Sequence, residues 1–301
     1  MTSRAFLLVL ISVFLHAGWN FLSKRARPSL AFYSLASTSS CLVLLPVFCW
    51  LWPRSGKLPP SFWMLWPLSV VSQFVYFFGL TNAYRRSDIS LVYPLARAIP
   101  VLLTALITAL LGLGQKLSLP TLTGMAVLCL GCLLMPLEKW RDFGFASYRN
   151  RVIFFILLAA VGITGFTVLD SEIVKHLAGA DGGTLGRVGR ALMYLFMIEA
   201  GLATALYIAV ALNPAERQNF RNLFLKTPIP SISGLSSSCS YVLILLAMGL
   251  VSNVSYVQAF RQMSLPLGVL LGVLFLHERP AAPRLTGIAL VVAGLVLAAL
   301  G

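Results

Sequence analysis

Apolar runs of bilayer-spanning length, broken only by short charged or Pro/Gly-bearing stretches, recur along the whole sequence. A helix of about 20 largely apolar residues crosses the hydrocarbon core of a membrane. Ten such spans can be marked, at about 5–23, 31–52, 62–84, 90–112, 119–137, 152–174, 188–212, 231–249, 252–276 and 283–300. The longest breaks are "PLEKWRDFGFASYRNR", "KHLAGADGGTLGR" and "NPAERQNFRNLFLKTP", none long enough to fold as a soluble domain. Only 11% of the residues are charged and 58% are hydrophobic, with a mean hydropathy of +0.88. A soluble domain carries roughly 25% charged residues to cover its surface. The reading is an all-α integral membrane protein. The first run has no A-x-A-like end and is followed by further spans, so it reads as span one and not as a signal peptide.

The net charge of +14 raises nucleic acid as a partner. The cations, however, are scattered at span ends, where interface anchoring and topology account for them, and no nucleic-acid-binding motif is visible. Cys129 and Cys132 form a C-x-x-C inside "VLCLGCLL". A redox or zinc site needs access and further ligands, so these thiols read as packing residues. No metal or other cofactor is expected.

The charged break near the midpoint invites a test for duplication. Shifted by 163 residues, "GLGQKLSLPTLTGMAVLCLG" falls on "FLHERPAAPRLTGIALVVAG". Pro120, Leu122, Thr123 and Gly124 meet Pro283, Leu285, Thr286 and Gly287. Gly131 meets Gly294, and Tyr93 meets Tyr256. The expectation is two five-helix repeats, 1–140 and 150–301. An odd number of spans per repeat makes the halves inverted in the membrane, a recurring transporter architecture with the site at the repeat interface.

The hairpins "LGLGQKLSLPTLTG" and "LFLHERPAAPRLTG" resemble those before the last helix of each EamA repeat, a family of the drug/metabolite transporter superfamily. The opening "HAGWNFLSK" is similar to the end of that family's first helix. Gln115 departs from the pattern, which has a glutamate there, whereas Glu278 keeps it. The resemblance implies a secondary transporter, not an enzyme, in a bacterial plasma (inner) membrane, working as a monomer or homodimer among lipids on a small-molecule substrate. Members carry amino acids, metabolites, nucleotide sugars or drugs. The His-x-x-Trp-Asn arrangement is similar to a group associated with phosphonate utilisation, which implies an aminophosphonate-like solute. Small multidrug-resistance relatives bind cationic drugs with a glutamate in helix one. His16 and the lack of an acid in that helix here favour an anionic or zwitterionic solute over a drug or other hydrophobic cation.

Helical spacing sorts the polar residues by face. Ser12, His16, Asn20, Trp19 and Ser23 form a stripe on span one, with Lys24, Arg25 and Arg27 at the membrane edge. Trp19 can line a cavity or anchor the interface. Span four carries Tyr93, Arg97, Pro100 and Thr104 on a face, with Arg97 about 10 Å inside at roughly 1.5 Å per residue. Span nine carries Ser255, Gln258 and Arg261, and Arg261 lies one position after the repeat mate of Arg97. Guanidinium groups bind carboxylate and phosphonate oxygens bidentately, although an internal ion pair would also explain them. Gln73 and Tyr76 share a face of span three, and Thr164, Thr167 and Asp170 one of span six. The substrate-binding candidates are therefore His16, Trp19, Asn20, Tyr76, Tyr93, Arg97, Tyr256, Gln258 and Arg261. Proton coupling is open to Glu199, His16 and Asp170, while Glu199 equally suits a counter-charge to the arginines.

Two rival classes make demands of their own on the sequence. A membrane enzyme would need a clustered acid, base or metal set, and no HExxH, GxSxG or P-loop is present. A non-transporting scaffold would tie its intramembrane polar residues to one another. Orientation stays open. Fourteen lysines and arginines fall on one side and seven on the side of the termini, which favours termini outside. The family resemblance implies termini in the cytoplasm.

Overall fold

The computed structural model describes residues 2–25, 29–86, 89–135, 137–142, 151–179, 183–276 and 281–301. Within these, the side chains of 19–25, 89–91, 93–94, 142, 151 and 271–276 lie outside the description, as do residues 277–280 of the second hairpin with Glu278. The described residues form helices and loops with no strand. In chain order the helices are α1 (Ser3–Arg25), α2 (Leu30–Leu51), α3 (Pro60–Tyr84), α4 (Ile89–Leu110), α5 (Leu119–Leu134), α6 (Arg151–Ala178) and α7 (Arg187–Leu212). They continue with α8 (Pro214–Lys226), α9 (Ile229–Met248), α10 (Val254–Phe260), α11 (Ser264–Leu276) and α12 (Ala282–Leu300). Six of them, α2, α3, α6, α7, α9 and α12, are long and apolar enough to cross a membrane.

The helix starts follow local chemistry. Ser29, Ser118, Asn213 and Asn253 cap α2, α5, α8 and α10, each accepting a backbone N–H from the first turn. A helix start leaves such donors without intrahelical partners. Proline stands in the first turn of α3, α5, α8 and α12, where no N–H is needed.

Two elements differ from the ten-span expectation. The break after span seven holds α8, 13 residues long and too short and polar to cross. Its Glu216 is fully buried, accepts the Ala31 N–H at 2.9 Å and pairs with Arg85. α8 is thereby tied to the start of α2 and the end of α3. Span nine is also not one helix. A 3-10 turn at Arg261–Met263 separates α10 from α11, and side chains take up the disturbed carbonyls. Gln262 Nε2 donates to the Gln258 carbonyl at 2.9 Å, and Ser264 Oγ to that of Arg261 at 2.9 Å.

Helix pairing positions the rest. α3 packs along α6, α1 along α9, α2 along α7, and α5 along α12. In lipid, helices gain little from burying apolar surface against one another, so small residues that admit close approach hold them together. The α5–α12 crossing is the clearest case. A Cβ on Gly124 would lie 2.5 Å from Gly294 O, and one on Gly131 2.6 Å from Gly287 O. The hairpin after α4 is pinned to the loop before α10, with Gln115 N donating to Ser252 O at 3.0 Å. Asn253 Nδ2 donates to Gln115 O at 2.9 Å. Gly114, at φ 76°, makes that approach with no room for a Cβ.

Candidate functional site: a basic cavity among the spans

A cavity of about 80 Å³ lies between α1, α2, α3, α4, α6, α7 and α9 and the 3-10 turn. α1 contributes His16, α4 Arg97, and the turn Arg261. α7 contributes Glu199, while Gln73 and Tyr76 come from α3. Serines of α9 (Ser233, Ser237, Ser240) and of α2 (Ser37) add hydroxyls, and Phe32, Tyr33, Phe77, Phe166 and Tyr241 supply aromatic walls.

Both arginines are buried, at 3% and 8% exposure. Charges at this depth are costly and mark pathways or sites. Arg97 Nη2 donates to Ser264 Oγ at 3.1 Å, the same hydroxyl that caps the carbonyl of Arg261. The helix break therefore brings the two arginines into one polar chain. The Arg261 guanidinium also lies 5.8 Å from the centre of the Tyr241 ring. Glu199 is held by α9 and α2. Ser238 Oγ is 2.8 Å from Glu199 Oε1 and 2.8 Å from Ser40 Oγ, and Ser37 also hydrogen-bonds the carboxylate. Gln73 is 7% exposed, and its Nε2 has no hydrogen-bond partner among the described residues.

Behind Tyr241 lies a second polar layer. Asp170 is fully buried and accepts hydroxyls from three helices: Ser69 of α3, Tyr194 of α7 at 2.6 Å, and Tyr241 of α9. Only Tyr241 of this group reaches the cavity.

The structure thus brings together His16, Gln73, Tyr76, Arg97, Arg261 and Glu199 of the residues singled out in the sequence. It does not place all of them there. Tyr256 sits 3.3 Å from the Thr121 hydroxyl and is absent from the lining. Gln258 is fully buried away from the cavity, within 3.5 Å of the Thr167 hydroxyl. Asp170 stands one layer back. Ser12 is used for packing, exchanging hydrogen bonds with Ser240 between α1 and α9. The side chains of Trp19, Asn20 and Tyr93 lie outside the described residues. The sequence reading missed the α9 serines and the aromatic wall. The signal for the α9 residues was the spacing of Ser233, Ser237, Ser240 and Tyr241 on one helical face.

Cys129 and Cys132 are free and buried, and Cys129 Sγ donates to Ala98 O at 3.2 Å. Among the described residues no three His, Cys, Asp or Glu side chains converge as a metal site would require.

Residues 3–137 match the model of the EamA-like transporter family. No curated protein matches the sequence. Among solved structures 28 chains match. One, described only as a crystal structure of a protein, superposes with a TM-score of 0.72 at 16% identity, covering 100% of this chain and 98% of that one. At that identity the likeness shows the fold alone.

Proposed function

We propose that the chain is a member of the EamA-like transporter family, whose model residues 3–137 match. From that premise we propose that it is a secondary transporter of a small anionic or zwitterionic metabolite, an amino acid or aminophosphonate-like solute. It works by alternating access and is not an enzyme. The observation that carries this reading is the convergence of Arg97, Arg261 and His16 on a cavity that also holds Glu199. The arginines suit a carboxylate or phosphonate, Glu199 an ammonium, and the serines and the Gln73 amide the remaining polar atoms. Proton coupling falls to Glu199 or His16 in the wall, or to Asp170 behind Tyr241.

The ten spans form two inverted five-helix units, 1–140 and 150–301, with α10 and α11 together counting as one span and α8 as an insertion. Two observations support this. The 163-residue shift maps α3 onto α9, and α1 and α6 are each the first helix of their half, so the packing of α1 on α9 becomes that of α6 on α3. The same shift maps Gly124 onto Gly287 and Gly131 onto Gly294, and the contacts run crosswise, Gly124 to Gly294 and Gly131 to Gly287. A two-fold axis through the α5–α12 crossing generates that pattern. Rocking of the two halves then exposes the cavity to each side in turn.

The aromatic walls favour one alternative, export of hydrophobic or cationic compounds, with Glu199 as the counter-charge. Thermal stabilisation of the purified protein separates the two. The panel contains amino acids, aminophosphonates, phosphorylated metabolites and organic cations, on wild type and Arg97→Ala. An anion or zwitterion should stabilise the wild type and lose its effect in a folded Arg97→Ala. Stabilisation by organic cations that ignores the substitution would overturn the anionic reading.

A further inference from the structure

A second cavity, of about 250 Å³, shares no residue with the central one. It lies where the end of α6, the start of α7 and the end of α9 meet. Three cations line it: Lys175 of α6 and Arg187 and Arg190 of α7. They stand up to 15 positions apart in sequence, yet face one concave space. Its remaining walls are apolar, with Val174 of α6 and Leu246 and Met248 of α9 among them.

Cations at span ends ordinarily snorkel outward, each to its own patch of headgroups. These three instead converge, and their own partners leave a surplus of positive charge. Lys175 is paired with Glu172 at 2.6 Å. Arg190 Nη1 donates to the Ala178 carbonyl at 2.9 Å, a contact that fixes its direction and neutralises nothing. Arg187 is exposed and makes no hydrogen bond or ion pair among the described residues. The preceding residue, Gly186, offers no side-chain cap to α7, so first-turn N–H groups and the positive end of that helix add to the field.

We infer that this cavity binds the headgroup phosphate of an anionic phospholipid. Arg187 and Arg190 hold the phosphate oxygens, and one acyl chain descends along Val174 and Leu246. Three features favour a lipid over a free anion. The cavity sits at the ends of three helices long and apolar enough to cross a membrane, where the headgroups of that membrane would lie. Its back wall is hydrocarbon, which a bare inorganic anion would leave unused. Leu246 and Val174 are only partly buried, so the wall is open to an acyl chain. Basic pockets between membrane helices recognise such headgroups.

The test uses the full-length protein in zwitterionic phosphatidylcholine nanodiscs, titrated with a fluorescent phosphatidylglycerol. The variants are Arg187→Gln/Arg190→Gln and, as a charge-matched control on α8, Arg217→Gln/Arg221→Gln. Each cation near a membrane surface contributes about fivefold in affinity for an anionic lipid. The α7 double variant should therefore bind roughly 25-fold more weakly, with an unchanged melting temperature in phosphatidylcholine alone. The control should bind as wild type, and inorganic phosphate should not displace the lipid. Equal weakening in both variants would overturn the site in favour of diffuse surface charge. Displacement by inorganic phosphate would overturn the lipid in favour of a free anion. Unaltered binding in the α7 variant would overturn both.

Discussion

Asp170 offers the most demanding check on the polar architecture behind the cavity. Its carboxylate is fully buried and accepts three hydroxyls, from Ser69, Tyr194 and Tyr241. Hydrogen bonds to a charged group contribute about 1.5–3 kcal/mol each, and a buried donor left without an acceptor costs about 1–3 kcal/mol. Asp170→Ala strands three donors, but unequally. Ser69 and Tyr194 are fully buried, whereas Tyr241 is only partly buried and lines the cavity, from which its hydroxyl can be rehydrated. The loss should be about 3–5 kcal/mol, in the range for breaking a buried charge network from one side. Asp170→Asn keeps one acceptor oxygen and introduces an NH2 group among donors, so it should cost about 2–3 kcal/mol. Tyr241→Phe removes only the rehydratable donor and should cost about 1 kcal/mol. Denaturant or thermal unfolding of detergent-solubilised protein reads the order Ala, then Asn, then Tyr241→Phe. Asp170→Ala within about 0.5 kcal/mol of wild type would refute the reasoning. So would Tyr241→Phe matching it, because the asymmetry of burial would then decide nothing.

Other consequences are as direct. Gly124→Ala places a methyl 2.5 Å from backbone atoms of α12 and should cost about 1–3 kcal/mol by overpacking. Gly18→Ala meets nothing within 4 Å and should be neutral or slightly stabilising in the same melt. Glu216→Ala removes the acceptor of the Ala31 N–H and the partner of Arg85. Since the Arg85 side chain is 40% exposed and well screened, the loss should be about 2 kcal/mol, mostly from the buried N–H. Hydrogen exchange at the start of α2 should quicken with it, and protection unchanged from wild type would count against the clamp. Arg97→Lys keeps the charge but not the planar fork. In proteoliposome uptake it should raise KM about tenfold or more at little cost in folding, and wild-type KM would place Arg97 outside the substrate contacts.

What the sequence disclosed and what it hid divide along physical lines. Arg97, Arg261, His16 and Glu199 could be found because a charge inside a hydrocarbon-length run is expensive. It is tolerated only at a polar interior, so composition alone flagged them before any geometry was known. α8 was invisible for the converse reason. A search for apolar runs discards "PAERQNFRNLFLK", although Asn213 and Pro214 spell a helix start. The Asp170 layer depends on hydroxyls supplied by three other helices, and no local pattern in the sequence records that meeting.

The break at Arg261 bears most on the mechanism, and its signal was a proline inside span nine. "QAFRQMSLP" carries Pro266, which offers no N–H to the Gln262 carbonyl four residues back and crowds it, and side chains secure the turn. Gln262 satisfies the Gln258 carbonyl before the turn and Ser264 that of Arg261 at its start, and the same Ser264 hydroxyl receives Arg97 from α4. A mid-helix 3-10 segment is a frequent mark of a hinge. Here the segment that carries one cavity arginine is latched by the other, across the proposed boundary between the two halves. A rocking motion that moves α4 away from α10 and α11 must break the Arg97–Ser264 bond, so the Nη2 that made it then turns to another acceptor. An anionic substrate between the two guanidinium groups supplies one. Substrate binding and the rearrangement of the halves are then linked through the same hydrogen-bond donor, which gives a substrate the differential affinity for two states that alternating access requires.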